Sequence, residues 1–285
     1  MKNKNSRLVR LMLSVFFGVF LLAGCNEVEK PRLPSASENV EELSQTFTMA
    51  ELNRDRTIRL YLPPDYSASD KRYPVLYMHD GQNLFDDATS YVGEWGVDET
   101  LNRLFQEKGL GLIVVGIDNG QKKRMSELSP WKNDNIEAVE GAPYMNFIVN
   151  QIKPFIDQNY RTLPDADNTA VMGSSMGGLI SHYAIFQFPQ VFSKAGIFSP
   201  SYWVSDKIYD FSQPEKLAKN SRLYLLMGGN EGVDVVDDFQ SMNQYLKEKG
   251  LNSEQLKSKI VADGEHNEGF WRSEFAEAVL WLFRK

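Results

Sequence analysis

Residues 169–188 read TAVMGSSMGGLISHYAIFQF, and Pro189 follows. The first five form a short apolar run of the kind that makes a strand buried on both faces. The last thirteen carry no internal breaker after the glycines and predict a helix over 176–188, stopped by the proline. Between them Gly173-Ser174-Ser175-Met176-Gly177 fits G-x-S-x-G, with Gly178 adding a third glycine. A serine on a sharp strand-to-helix turn has its hydroxyl lifted clear of the sheet, and flanking glycines leave room where side chains would clash. The spacing selects Ser175, not Ser174, as the exposed hydroxyl.

Working outward, further runs of four to six apolar residues occur at 74–79 (PVLYMH), 112–117 (LIVVGI), 194–198 (KAGIF), 223–227 (LYLLM) and 259–262 (KIVA). Such runs predict a mostly parallel sheet. Helical patterns alternate with them at 96–107, 143–158, 236–249 and 273–283, which predicts an α/β layered fold with ligands at the carboxyl ends of the strands. Residues 45–52 and 57–62 alternate as antiparallel strands, with 53–55 as the turn between them. The irregular, aromatic-bearing segments 119–142 and 202–220 are expected as loops over the site.

A serine hydroxyl is a weak nucleophile until a base takes its proton. The chain holds three histidines, His79, His182 and His266. Where a strand-helix elbow carries the serine, an acid and then the histidine follow in chain order, and only His266 lies after a later strand. His182 is seven residues beyond Ser175 on the same predicted helix and reads as packing, as does His79 at the end of the first buried strand. The acid is expected at the exit of the preceding strand, where Glu231 leads Asp234 and Asp237. Two backbone amides are expected to receive the developing oxyanion, one from Met176 and one from the loop after 79, with Gln82 as donor.

The sequence resembles the esterase-D-like (enterochelin-esterase-like) branch of the α/β hydrolases. The matching blocks are YMHDGQNLFD (77–86), EWGVDE (94–99), VVGIDNG (114–120), MSELSPW (125–131), GSSMGG (173–178), FSPSYW (198–203) and GEHNEGFWR (264–272). The resemblance implies an α/β-hydrolase fold and hydrolysis of small-molecule esters with no metal and no organic cofactor. It implies Ser175 as nucleophile and His266 as base, and leaves the acid least determined. Siderophore esters and feruloyl or acetyl carbohydrate esters are the substrates it suggests. Trp95, Trp131, Trp203 and Trp271 fall in or beside these blocks and are candidate substrate-binding rings. A non-catalytic ligand-binding protein and an acyltransferase are the rival readings.

The amino-terminal residues read differently. Lys2, Lys4, Arg7 and Arg10 precede an apolar run over 11–22, too short for a spanning helix but suited to a signal peptide. The run ends in Leu22-Ala23-Gly24-Cys25, which resembles the lipobox of bacterial lipoproteins. Cys25 is the sole cysteine, so no internal disulfide is available, and a lipid on its thiol is the expected membrane attachment. Removing 1–24 takes away four positive charges and changes the formal net charge from −7 to −7 − 4 = −11, a balance that speaks against nucleic acid as a partner. The polar stretch 25–44 reads as a tether and 45–285 as one hydrolase domain. Asn26 points to the outer membrane, facing the periplasm or the cell surface. The sequence leaves the oligomeric state open.

Overall fold

The computed structural model describes residues 32–284, and the signal peptide and Cys25 lie outside them. The strands are β1 (Val40–Glu42), β2 (Phe47–Met49), β3 (Arg54–Arg56), β4 (Ile58–Tyr61), β5 (Val75–His79), β6 (Ile113–Ile117), β7 (Thr169–Ser174), β8 (Lys194–Phe198), β9 (Arg222–Gly228) and β10 (Leu256–Val261). Eight form one sheet in the order β1-β4-β6-β5-β7-β8-β9-β10. The β1–β4 and β4–β6 pairings are antiparallel, and every pairing from β6 to β10 is parallel. The six apolar runs in the sequence are thus the parallel strands β5 to β10.

Burial on both faces explains why those runs are continuous rather than alternating. Successive residues of β5 serve opposite faces: Val75 and Tyr77 join one core, Leu76 and Met78 the other. The same division runs along β9, with Leu223, Leu225 and Met227 against Tyr224 and Leu226. The helices are α1 (Val97–Lys108), α2 (Arg124–Glu127), α3 (Gly141–Phe147), α4 (Lys153–Asn159), α5 (Met176–Gln187), α6 (Lys207–Phe211), α7 (Val233–Glu248) and α8 (Glu268–Leu282). α1 and α8 supply Leu101, Leu104, Phe275 and Val279 to the second core, while α3 to α5 and α7 cover the first. A π-helical turn, Ile148–Ile152, links α3 to α4. Pro154, which lacks an N–H and crowds the carbonyl four residues back, accounts for the local widening.

Three expectations need correction. β2 and β3 pair with each other, so Arg54 and Asp55, expected in the turn, are strand, and the turn falls at 50–53. The antiparallel partner of β4 is β1, inside the stretch expected to be a polar tether. A three-residue edge strand is recruited by backbone hydrogen bonds, which polar side chains do not oppose, so composition gave no sign of it. α8 begins at Glu268, five residues before its expected start, because the Asn267 side chain accepts the Phe270 N–H at 2.9 Å and caps the first turn.

Candidate active site

The site is built at the carboxyl ends of β5, β7, β8 and β9. Ser175 sits between β7 and α5 with φ 59° and ψ −122°, a conformation costly for a residue with a Cβ and typical of functional turns. It is held there by its own N–H, which donates to the Phe198 carbonyl at 2.9 Å. The glycines around it answer to close backbone approach: a Cβ on Gly173 would lie 2.9 Å from the Gly177 backbone, and one on Gly178 would lie 2.6 Å from the Phe198 oxygen. α5 is buried from Met176 through Phe186, so the elbow is anchored by a helix with core on every side.

His266 lies in the turn between β10 and α8. Its Nδ1 is 2.6 Å from Glu231 Oε2, and its ring stands edge-on to Trp271 with centroids 5.0 Å apart. The Glu231 side chain is 2% exposed, against 45% for His266. Glu231 Oε1 in turn accepts from the Ser199 hydroxyl at 2.5 Å and from the Gly228 N–H at 2.9 Å, while the Ser199 oxygen accepts the Trp271 Nε1–H at 2.9 Å. Of the three candidate acids, Glu231 is the one at the imidazole; Asp234 and Asp237 are exposed on α7.

Ser175 and His266 share the wall between two cavities. One, of about 230 Å³, is lined by Met125, Met176, Pro200, Trp203, Met227 and Val235, with Glu231 at its edge. The other, of about 420 Å³, is more polar, with Asp80, Asn83, Asn119 and Arg124 facing Trp95 and Trp271. The Ser175 Oγ has Ser201 Oγ as a partner at 3.3 Å; no hydrogen bond to the imidazole is formed in this rotamer. Catalytic contacts are often long before substrate is bound.

The loop after β5 packs directly on the elbow, since a Cβ on Gly177 would lie 3.4 Å from both Asp80 and His79. Asp80 takes a left-handed conformation, φ 59°, and is clamped by Arg124 at 2.6 and 2.8 Å and by Asn119 at 2.6 Å. Burial alone would raise the Asp80 carboxyl, but the Arg124 charge outweighs it and holds the group below its ordinary range. Met176 opens α5, where helix geometry leaves its N–H without an intrahelical acceptor. Gln82 is buried in the short turn Gly81–Asn83 and lines neither cavity; its side chain accepts from the Asn119 N–H at 3.1 Å.

The four tryptophans divide. Trp95 and Trp271 wall the larger cavity and Trp203 the smaller. Trp131 lies in neither: it packs edge-on against Tyr183 and Phe211, covering the outer side of α5. A helix so apolar must be roofed, and the 119–142 segment spends its tryptophan there. His79 and His182 are buried and bonded to Tyr144 and to Tyr202 and Ser212. Burial holds them neutral, with pKa values lowered to about 4 and about 3. Reasoning from sequence did not single out Arg124, Ser199 or Ser201. The serines sit in the FSPSYW block and the arginine immediately precedes MSELSPW, yet nothing in those strings separates a bonded hydroxyl from a loop serine.

Comparison with known proteins agrees with this fold. A family described as "Putative esterase" matches residues 49–282. An uncharacterised protein of Bacillus subtilis, YbbA, is 29% identical over 245 residues, spanning 81% of this chain and 94% of YbbA. An endo-1,4-beta-xylanase/feruloyl esterase of Xylanibacter ruminicola is 23% identical over 250 residues, 86% of this chain and 31% of that protein. Among solved structures, the siderophore hydrolase EstA from Aspergillus nidulans superposes with a TM-score of 0.71 at 19% identity, covering 90% of this chain and 98% of its own. The family match runs from β2 to the end of α8 and takes in both the serine elbow and the His266 turn, so the chain belongs to this esterase family and has the α/β-hydrolase fold.

Proposed function

We propose that this esterase works through an acyl-enzyme on Ser175, with His266 as general base and Glu231 as the acid that orients it. The observation that carries the reading is the 2.6 Å contact between the Glu231 carboxylate and His266 Nδ1, in a cavity whose wall also includes Ser175. Nδ1 held as a donor leaves Nε2 free to accept a proton. His266 takes the Ser175 proton as the hydroxyl attacks the ester carbonyl, and the Met176 amide with an amide of the 81–83 turn receives the oxyanion. The alcohol leaves with the proton from His266, and water then repeats the sequence on the acyl-enzyme. For this step the Ser175 hydroxyl, which here has Ser201 Oγ as its partner at 3.3 Å, turns toward the imidazole.

The two cavities suit the two halves of an ester. The methionine- and tryptophan-lined space fits an aryl acyl group, and the larger space, with its asparagines and its Trp95–Trp271 wall, fits a polar alcohol such as a sugar or a hydroxylated siderophore arm. Feruloyl or acetyl carbohydrate esters and siderophore esters are therefore the substrate classes to test first. The test is hydrolysis of a short p-nitrophenyl ester and of methyl ferulate by wild type, Ser175→Ala and His266→Ala, with fluorophosphonate labelling alongside. Turnover and labelling abolished in Ser175→Ala support the reading; a Ser175→Ala variant as active as wild type refutes it.

The same proposal extends to placement: residues 1–24 as a removed signal peptide, lipid on Cys25, and an outer-membrane position facing the periplasm or the surface. It is supported by the sequence 22–25 and the lone cysteine. Cys25→Ser should move the protein from the membrane pellet to the soluble fraction; unchanged pelleting would rule the lipid out.

A further inference from the structure

The EWGVDE segment, which leads into α1, brings three carboxylates together. Glu94, Asp98 and Glu99 each offer an oxygen, and these oxygens lie within 4.8 Å of one another. Asp98 is fully buried and Glu94 is 8% exposed; Glu99 is half-buried and gives the cluster an opening to solvent. Each carboxylate is used on one side. Glu94 Oε1 and Glu99 Oε1 face the Arg272 guanidinium at 3.5 and 3.9 Å, and Asp98 Oδ2 accepts the Ser37 N–H at 2.7 Å. The other oxygen of each, Glu94 Oε2, Asp98 Oδ1 and Glu99 Oε2, is buried and has no partner among the described residues.

Three orphaned acceptors in one buried cluster are an unstable arrangement unless something positive stands among them. With all three ionised and Arg272 beside them, the formal charge is −3 + 1 = −2. Water would satisfy the oxygens without discharging them. A single proton would join two carboxylates and leave the third unpartnered. A divalent cation both brings the charge to zero and engages all three oxygens.

We propose that Glu94, Asp98 and Glu99 form a calcium site, with water completing the shell. Ca²⁺ accepts several carboxylates in a flexible shell of about six to eight oxygens, whereas Mg²⁺ keeps most of its waters and is ordinarily held by one or two carboxylates. A set of three carboxylates fits the larger ion. Bound there, the ion ties together three separate pieces of chain: the Ser37 strap through Asp98, the start of α1, and α8 through Arg272. It does so next to Trp95, without touching Ser175 or His266, so the site does not depend on the catalytic assignment.

The test uses the full chain in detergent, stripped with a chelator. Terbium is added and its luminescence is excited through Trp95, then Ca²⁺ and Mg²⁺ are titrated in competition and Ca²⁺ binding is measured by calorimetry. Sensitised emission should appear and Ca²⁺ should displace it with a Kd on the order of 10⁻⁴–10⁻³ M, the range of extracellular modules. Mg²⁺ should compete at least about tenfold more weakly, and Glu99→Gln and Asp98→Asn should each weaken Ca²⁺ at least about tenfold. Glu99→Gln, at the cluster's open side, carries the test if Asp98→Asn does not fold. Absent emission and calorimetric heat, emission unchanged in Glu99→Gln, or equal competition by Mg²⁺ would each overturn the proposal.

Discussion

Replacing Glu231 by glutamine and by alanine should have unequal consequences, in an order opposite to that of ordinary conservative substitution. Glu231 Oε1 accepts two hydrogens, from Ser199 and from Gly228. In Glu231→Gln the amide must keep its carbonyl oxygen on that side, because its NH₂ would otherwise face the Gly228 N–H, donor against donor. The NH₂ then points at His266 Nδ1, which has to become the acceptor and leave the proton on Nε2. That is the wrong tautomer for taking a proton from Ser175, and in a comparable triad the loss is about 10⁴-fold. In Glu231→Ala the imidazole, 45% exposed, can still bond water at Nδ1 and keep the correct tautomer. What is lost there is a charge-assisted hydrogen bond of about 1.5–3 kcal/mol, roughly 10- to 150-fold in rate. Values of kcat/KM on a p-nitrophenyl ester, with urea melts to confirm that both variants fold, would measure the order. Glu231→Gln as active as Glu231→Ala, or more so, would refute the claim that this carboxylate sets the tautomer.

Ser199→Ala removes a donor to Glu231 and the acceptor of the Trp271 Nε1–H, so the urea midpoint should fall by an amount equal to about 1–3 kcal/mol, and kcat should fall with it. An unchanged midpoint would mean that water replaces the hydroxyl. For His182, burial lowers the folded-state pKa to about 3 from about 6.5 unfolded. Its neutral form therefore contributes stability above about pH 6.5 that is lost as pH falls toward 3, by about 1.4 kcal/mol per unit. The stability gap between wild type and His182→Gln should shrink by roughly 2 kcal/mol between pH 7 and pH 5. Taking the difference cancels the carboxylates that titrate the other way, and a constant gap would show that His182 is not held neutral.

The parallel sheet was legible because a strand buried on both faces can hardly be written in other letters, and the elbow because Gly173 and Gly178 answer to contacts below 3 Å. His266 was legible by elimination among three histidines. Glu231 led Asp234 in the sequence by its place at the strand exit, and its contact with His266 Nδ1 is what sets it apart in the structure. β1 was invisible because an edge strand of three residues is chosen by what lies beside it. Trp131 misled for a related reason: an aromatic in a loop block reads the same whether it faces a ligand or roofs a helix. The Ser199–Trp271 link joins residues 72 positions apart, beyond any local pattern.

Nearly complete burial of α5 has a consequence for the chain before it folds. A helix with one polar face can wait in water; the stretch from Met176 to Phe188 has no such face, and it is flanked upstream by β7, which is equally apolar. Until β8 and the roofing loops have been made, more than a dozen residues of adhesive sequence stand open to other copies of themselves. Refolding yield from denaturant should therefore drop with protein concentration. An escort that shields unfolded chains should help most in the interval before residue 198 finds its place beside residue 174.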